Sequence, residues 1–71
     1  MYQHIDLEPD TVKRGTHYAP CLRRSDTGDI VAEGMPCYGH WLDALSAAED
    51  AFELQQRNGG SWLKACSAAM N

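Results

Sequence analysis

Alternating apolar and polar side chains predict a β-strand over residues 17–24. Tyr18, Pro20 and Leu22 lie on one face of this strand, and its other face carries His17, Ala19, Cys21 and Arg23. The sequence Asp26-Thr27-Gly28-Asp29 follows as a turn, because glycine readily adopts the positive φ that tight hairpins require. Ile30 and the residues after it begin a return strand, so the pattern predicts a β-hairpin over about 17–37.

A helical period follows the hairpin over about residues 40–57. One stripe of this predicted helix is apolar and consists of Trp41, Leu45, Ala48 and Phe52. Gly39 is an acceptable N-cap, and Asn58-Gly59-Gly60 ends the helix because glycine supplies the left-handed conformation that a helix stop needs. Ser61 can then cap a second, shorter helix over about 61–70.

The N-terminal residues 1–7 predict a possible third strand, with Ile5 and Leu7 on one face. Glu8-Pro9-Asp10 is expected to end this strand, and residues 11–16 are expected to form an exposed connection. An alternative is a single helical turn capped by Asp10.

Two prolines constrain the sheet further. Pro20 and Pro36 lack amide donors, so each is expected at an open edge, at a bulge or at a strand end. The expected fold class is therefore α+β, in one small domain spanning 1–71. A small antiparallel sheet packs against one amphipathic helix, and a short C-terminal helix follows.

The length of 71 residues is near the lower limit for a stable single core. Most of the apolar residues are alanine, which buries little area, so the chain would benefit from a metal or a partner. The larger residues that we expect in the core are Ile5, Leu7, Tyr18, Leu22, Ile30, Val31, Met35, Trp41, Leu42, Leu45, Phe52, Trp62, Leu63 and Met70.

The formal net charge of −4 argues against a protein that binds nucleic acid by neutralising phosphates. The sequence has no apolar run long enough to span a bilayer and no signal-peptide pattern, so no membrane association is expected. Three cysteines without a secretory signal favour free thiols in a reducing compartment. We therefore expect a cytoplasmic protein.

Two Cys/His pairs at the ends of the hairpin raise the question of zinc. Zinc takes four nitrogen or sulfur ligands, and His17, Cys21, Cys37 and His40 offer such a set. The spacing matches no established zinc pattern, however, and free cysteines are commonly buried without any metal role. Ordinary packing is the favoured interpretation, and no cofactor is expected.

The basic residues of the chain are concentrated at Arg23 and Arg24, with Lys13 and Arg14. An arginine fork could anchor a phosphate or a carboxylate of a partner. The favoured interpretation is protection of a sheet edge by charge, with ion pairs to Asp26, Asp29 or Glu33.

Acidic and aromatic side chains are the other candidates for binding a partner. The acidic residues of the main helix are Asp43, Glu49, Asp50 and Glu53, and such a face can complement a basic surface. Tryptophan and tyrosine are favoured interface anchors, and the candidates here are Tyr38, Trp41 and Trp62.

These observations favour a non-enzymatic module that binds a protein partner or itself. The hairpin and acidic helix resemble, in layout, small accessory proteins of phages, plasmids and bacterial genomes. This resemblance suggests an inhibitor or modulator of the anti-defence type that docks on a basic surface of a larger complex. The alternatives are a zinc-stabilised nucleic-acid-binding domain and a homodimeric accessory protein. An enzyme has the least support, because nothing in the sequence orients Cys66 and a histidine as nucleophile and base.

Overall fold

Three antiparallel strands and two helices make up the computed structural model, which describes residues 6–69. The elements are β1 (Leu7–Arg14), β2 (His17–Arg24), β3 (Ile30–Glu33), α1 (Trp41–Asn58) and α2 (Trp62–Ala69). The sheet order is β1-β2-β3, so the predicted hairpin strand β2 is central. Helix α1 packs against β1 and β2, and α2 packs against α1 and contacts β3. The predicted α+β class is confirmed.

The two hairpin turns depend on glycine. Gly15 lies between β1 and β2 with a φ of 68°, and Gly28 lies in the predicted turn between β2 and β3 with a φ of 78°. This region of φ favours glycine because it carries no Cβ. The β2–β3 turn is closed by the Gly28 N–H, which donates to the Arg24 carbonyl at 2.8 Å.

The prediction for the N-terminal strand was wrong in its position. Strand β1 covers Leu7–Arg14 and pairs with β2 along its whole length, from Leu7 opposite Arg24 to Arg14 opposite His17. Residues 8–10 therefore do not end a strand, and residues 11–14 form neither a loop nor a helical turn. Pro9 is tolerated because β1 is an edge strand, where a missing amide donor need not leave a neighbour unpaired. Residues 1–5 of the predicted strand lie outside the described residues.

Pro20 is also placed differently from the prediction, because it lies in the central strand and is fully buried. Strand β3 ends at Glu33, opposite Cys21, and the chain next pairs with β2 where Tyr38 faces Tyr18. Pro20 faces the gap between these two pairings. Its carbonyl accepts the Gly34 N–H at 2.7 Å, but it has no amide with which to continue the ladder. Residues 35–37 therefore leave the sheet as a short loop, and the return strand stops earlier than predicted.

Both helices lie within about one residue of their predicted bounds. The cap of α1 differs from the prediction, because the Nδ1 atom of His40 rather than Gly39 caps it by accepting the Leu42 N–H at 3.1 Å. The C-terminal end is formed as expected by Gly59, whose N–H donates to the Gln55 carbonyl at 2.7 Å. Ser61 caps α2 as predicted, its hydroxyl accepting the Lys64 N–H at 3.1 Å.

Small side chains dominate the buried core. The buried ridge of α1 consists of Ala44, Ala47, Ala48 and Ala51. The central cluster of buried residues consists of Leu22, Ala48, Ala51, Trp62, Ala65 and Cys66. Because alanine has only a methyl group, α1 can lie close to the sheet without a large side chain between them.

The predicted core is therefore only partly correct. Leu22 and Trp62 are buried as expected, and five of the predicted core residues are half-buried, namely Leu7, Tyr18, Ile30, Leu45 and Phe52. Another five are exposed: Val31, Met35, Trp41, Leu42 and Leu63. Ile5 and Met70 lie outside the described residues. Among residues 6–69, no helix combines the length and apolar character needed to cross a membrane.

Candidate functional site

The face of the sheet that lies opposite the helices carries two ion pairs, Arg14 with Glu33 and Arg23 with Asp10. Arg14 on β1 binds Glu33 on β3 through two hydrogen bonds of 3.0 and 2.7 Å. Because these strands flank β2, this pair crosses the central strand, where Ala19 and Cys21 have no exposed surface. Burial raises the pKa of the Cys21 thiol, so that it stays protonated at neutral pH. Ala19 and Cys21 are therefore not accessible on this face.

Arg23 and Arg24, considered as a possible anchor for a partner, are engaged with carboxylates within the chain. The Nε atom of Arg23 lies 2.7 Å from Asp10, and its Nη1 atom donates to the Gly28 carbonyl at 2.6 Å. Arg24 binds Asp26 through two hydrogen bonds of 3.0 and 2.8 Å. Exposed pairs of this kind stabilise little, but they occupy the guanidinium forks.

The remaining arginines are paired as well. Arg14 binds Glu33, and Arg57 lies 2.7 Å from Glu53 one helical turn earlier. Every arginine in the sequence thus has a carboxylate partner, and none presents a free fork to a phosphate.

The four proposed zinc ligands are dispersed. His17 is exposed and contacts the Thr16 hydroxyl at 2.9 Å, and Cys21 is buried on the outer face of the sheet. Cys37 is exposed in the loop after β3, and His40 caps α1. Across residues 6–69, no three His, Cys, Asp or Glu side chains are grouped in a way that could hold a metal ion.

The described ion pairs leave several carboxylates of α1 unpaired. Asp43, Glu49 and Asp50 form no ion pair within residues 6–69, whereas Glu53 is paired with Arg57. Asp43 and Asp50 line one groove of about 380 Å³ between the start of α1 and the end of α2. This acidic groove is lined by Tyr38, Asp43, Ser46, Ala47, Asp50 and Ala69.

A second depression lies between the loop after β3 and helix α2. This apolar cleft has a volume of about 240 Å³ and is lined by Pro20, Met35, Cys37, Tyr38, Leu63, Cys66 and Ser67. Burial raises the pKa of the Cys66 thiol to about 11, with a smaller contribution from Cys37. The cleft therefore holds a neutral thiol and not a nucleophile at neutral pH.

Tyr38 lines both the apolar cleft and the acidic groove. Its main chain is fixed to β2: the Tyr18 N–H donates to the Tyr38 carbonyl at 2.7 Å, and the reverse hydrogen bond is 3.2 Å long. Partial burial raises the pKa of the Tyr38 hydroxyl, and the nearby groups of Cys37, Cys66 and Asp43 raise it further. These neighbours come from both depressions, in agreement with a position between them.

The two tryptophans have different environments. Trp62 is buried, and its indole N–H donates to the Pro20 carbonyl at 3.4 Å. Trp41 is about half exposed, with its ring stacked on His40 at a centroid distance of 6.3 Å. Of the two tryptophans predicted as anchors, only Trp41 is available to a partner.

The structure thus brings together Tyr38, Asp43 and Asp50 from the predicted binding residues. Glu49 and Glu53 lie exposed on α1 and do not line the acidic groove, although Glu53 lines an adjoining depression with Asp50 and Ala69. Met35 and Leu63 were missed, because their apolar character predicts burial. Pro36 directly after Met35 was the signal in the sequence for the end of the strand, because proline has no amide with which to continue the sheet.

Comparisons of this chain with protein-family models, with curated proteins and with solved structures find no match.

Proposed function

We propose that this protein is a non-enzymatic protein-binding module that docks on a basic surface of a larger partner. The observation that carries the proposal is the exposure of large apolar side chains. Met35 is 65% exposed, Leu63 56%, Leu42 52%, Val31 49% and Trp41 47%. A chain whose core is built mainly from alanine thus leaves its larger apolar groups on the surface, where they can gain burial only from a partner.

The charge distribution supports a basic partner. Three carboxylates of α1, at Asp43, Glu49 and Asp50, form no ion pair within residues 6–69, while every arginine is paired with a carboxylate. Asp43 and Asp50 are separated by about 10 Å along the helix axis. An inhibitor that occupies a nucleic-acid-binding groove would use such carboxylates in place of phosphates. Direct nucleic-acid binding has no comparable support, because its candidate arginines are engaged.

A pair of charge-reversal variants tests this proposal. Asp43→Lys with Asp50→Lys removes the acidic surface of α1, and Glu8→Lys with Asp29→Lys is the matched control. Each double variant replaces two carboxylates that form no ion pair within residues 6–69, and it takes the formal net charge from −4 to 0, since each substitution adds +2. All four side chains are at least partly exposed, so both variants are expected to fold.

The immobilised wild-type chain and both variants are incubated with extract of the host cell, and retained proteins are identified by mass spectrometry. We expect a nucleic-acid-binding protein that is retained by the wild type and the control, lost with the α1 variant, and released by heparin. A partner retained equally by both variants would refute docking through α1. Sedimentation of the purified chain as a dimer with no retained partner would favour the homodimeric alternative.

A further inference from the structure

The apolar cleft and the acidic groove meet at Tyr38, which lines both of them. One wall of the cleft is the loop of residues 35–37, and the opposite wall is α2. The acidic groove begins on the other side of Tyr38 and continues along α1. Because the main chain of Tyr38 is hydrogen-bonded to β2 on both its N–H and its carbonyl, the boundary between the two depressions is fixed.

The cleft has the size and lining for one apolar side chain. Its volume of about 240 Å³ is below the range of pockets that take drug-sized ligands. Its base is closely packed, since a methyl group at the neighbouring Gly34 would lie 2.9 Å from Pro20 Cγ and 3.0 Å from Cys66 Sγ. Met35 and Leu63 flank the opening and are exposed, and the flexible methionine can adjust to its occupant.

The negative charge of the acidic groove suits a positively charged side chain of a partner. Asp43 and Asp50 line it without an ion pair in the described residues, and no lysine or arginine lines either depression. Ser46 offers a hydroxyl between them. The ring of Tyr38 adds an aromatic surface, which attracts a guanidinium or ammonium group.

We propose that these two depressions form one site for a protein segment that carries an apolar side chain next to an arginine or lysine. Leucine, methionine or phenylalanine would fill the apolar cleft, and the basic side chain would cross Tyr38 to the two carboxylates. This inference rests on the proposed function and specifies the chemistry of the partner. A second copy of the chain fits less well. Each of its arginines is already paired with a carboxylate, which leaves Lys13 and Lys64 as its cations, and the leucine next to Lys64, Leu63, lines the cleft itself.

A library of random dodecapeptides displayed on phage, selected on the immobilised full chain, tests the site. We expect the enriched peptides to combine Leu, Met or Phe with Arg or Lys one or two positions away. The binding of a synthetic enriched peptide is then measured by fluorescence anisotropy against variants of each depression. Leu63→Asp places a charge at the cleft, and Asp43→Asn with Asp50→Asn neutralises the groove.

Matched controls lie elsewhere on the surface. Leu42→Asp replaces a leucine of nearly equal exposure, 52% against 56% for Leu63, and Leu42 does not line the cleft. Glu8→Gln with Asp29→Asn removes the same charge from the sheet side. We expect each site variant to weaken binding by about tenfold or more, which corresponds to about 1.4 kcal/mol, and each control to change it less than about twofold.

Because all these side chains are exposed, the variants should unfold at the same thermal midpoint as the wild type. If Leu63→Asp lowers this midpoint, Met35→Ser serves as a second variant of the cleft. Enriched peptides without the apolar and basic pair, or peptides insensitive to either site variant, would overturn the two-part site. In that case the proposed protein-binding function would still be tested separately by the experiment with cell extract. Failure to enrich any peptide overturns the site, and failure of both experiments removes the proposed function as well.

Discussion

The contact of Gly34 with the base of the apolar cleft gives a sharp test of the packing. Gly34 is buried, and its φ is not positive, so alanine meets no backbone restriction there. The added methyl group would nevertheless lie 2.9 Å from Pro20 Cγ, 3.0 Å from Cys66 Sγ and 3.2 Å from the Pro20 carbonyl oxygen. These distances are shorter than van der Waals contact, so the strand, the loop or α2 must shift.

The change in the free energy of unfolding caused by Gly34→Ala follows from two opposing effects. Inserting a methyl group into a closely packed site costs about 1–3 kcal/mol. Replacing glycine by alanine also restricts the unfolded chain, which stabilises by about 0.4–1 kcal/mol where the native conformation suits alanine. Gly39→Ala is the matched control, because its added methyl group meets no atom within 4 Å and its φ is not positive either. The difference between the two variants therefore isolates the strain.

Urea denaturation, followed by far-UV circular dichroism and by tryptophan fluorescence, measures this difference. We expect Gly34→Ala to unfold more easily than Gly39→Ala by about 1–3 kcal/mol, which at a slope near 1 kcal/mol/M moves the midpoint by about 1 M or more. In a Cys66→Ala background the cost of Gly34→Ala should fall, because one of the clashing atoms is removed. Free energies of unfolding that agree within about 0.5 kcal/mol for the two glycine variants would refute the reasoning.

Four further predictions concern thiol reactivity, the pH dependence of stability and tryptophan emission. One thiol per native chain, that of Cys37, should react rapidly with Ellman's reagent at neutral pH and three after unfolding, and two fast thiols would contradict the burial of Cys66. Because folding raises the pKa of Cys66 from 9.0 to about 11, its contribution to stability should be lost as the pH rises through this interval, measured by urea titration at each pH. Trp41→Phe should leave a blue-shifted emission that resists iodide quenching, since the remaining Trp62 is buried; a red-shifted spectrum would place Trp62 in water. The hydrogen bond from Arg14 lowers the pKa of Glu33, so Glu33 should stabilise the fold above pH 4.5 and lose this effect as the pH falls through the lowered pKa. Glu33→Gln should flatten this part of the curve of unfolding free energy against pH. An unchanged curve would show that the Arg14–Glu33 pair contributes nothing to stability.

The sequence predicts most of the fold because its strongest signals are local. The helix α1, the glycines after it and the turn around Gly28 each depend on local sequence, and all three are confirmed. The buried side of α1 was not predicted, because it shares only Ala48 with the expected apolar stripe. Strand β1 was misplaced because Pro9 indicates a break when only local propensity is considered. A proline on an edge strand costs no pairing, and which strand lies at the edge is decided only when the sheet assembles.

The interaction surface was harder to predict for a related reason. Large apolar residues are expected inside, but the small separation between α1 and the sheet is filled by alanine. Trp41 and Leu42 therefore remain outside, although they follow the helical period. Hydrophobic periodicity identifies which side chains are apolar, and the space available between elements determines which of them are buried.

Pro20 is the common cause of the early end of β3 and of the shape of the proposed binding site. Its missing amide cannot extend the ladder between β2 and β3, so the strand ends at Glu33 and residues 35–37 leave the sheet. That departure exposes Met35 and makes it one side of the apolar cleft, while Pro20 itself forms part of the base. The chain returns to β2 at Tyr38, which separates the cleft from the acidic groove. A single residue without a hydrogen-bond donor thus interrupts the sheet at the position where the proposed binding site forms.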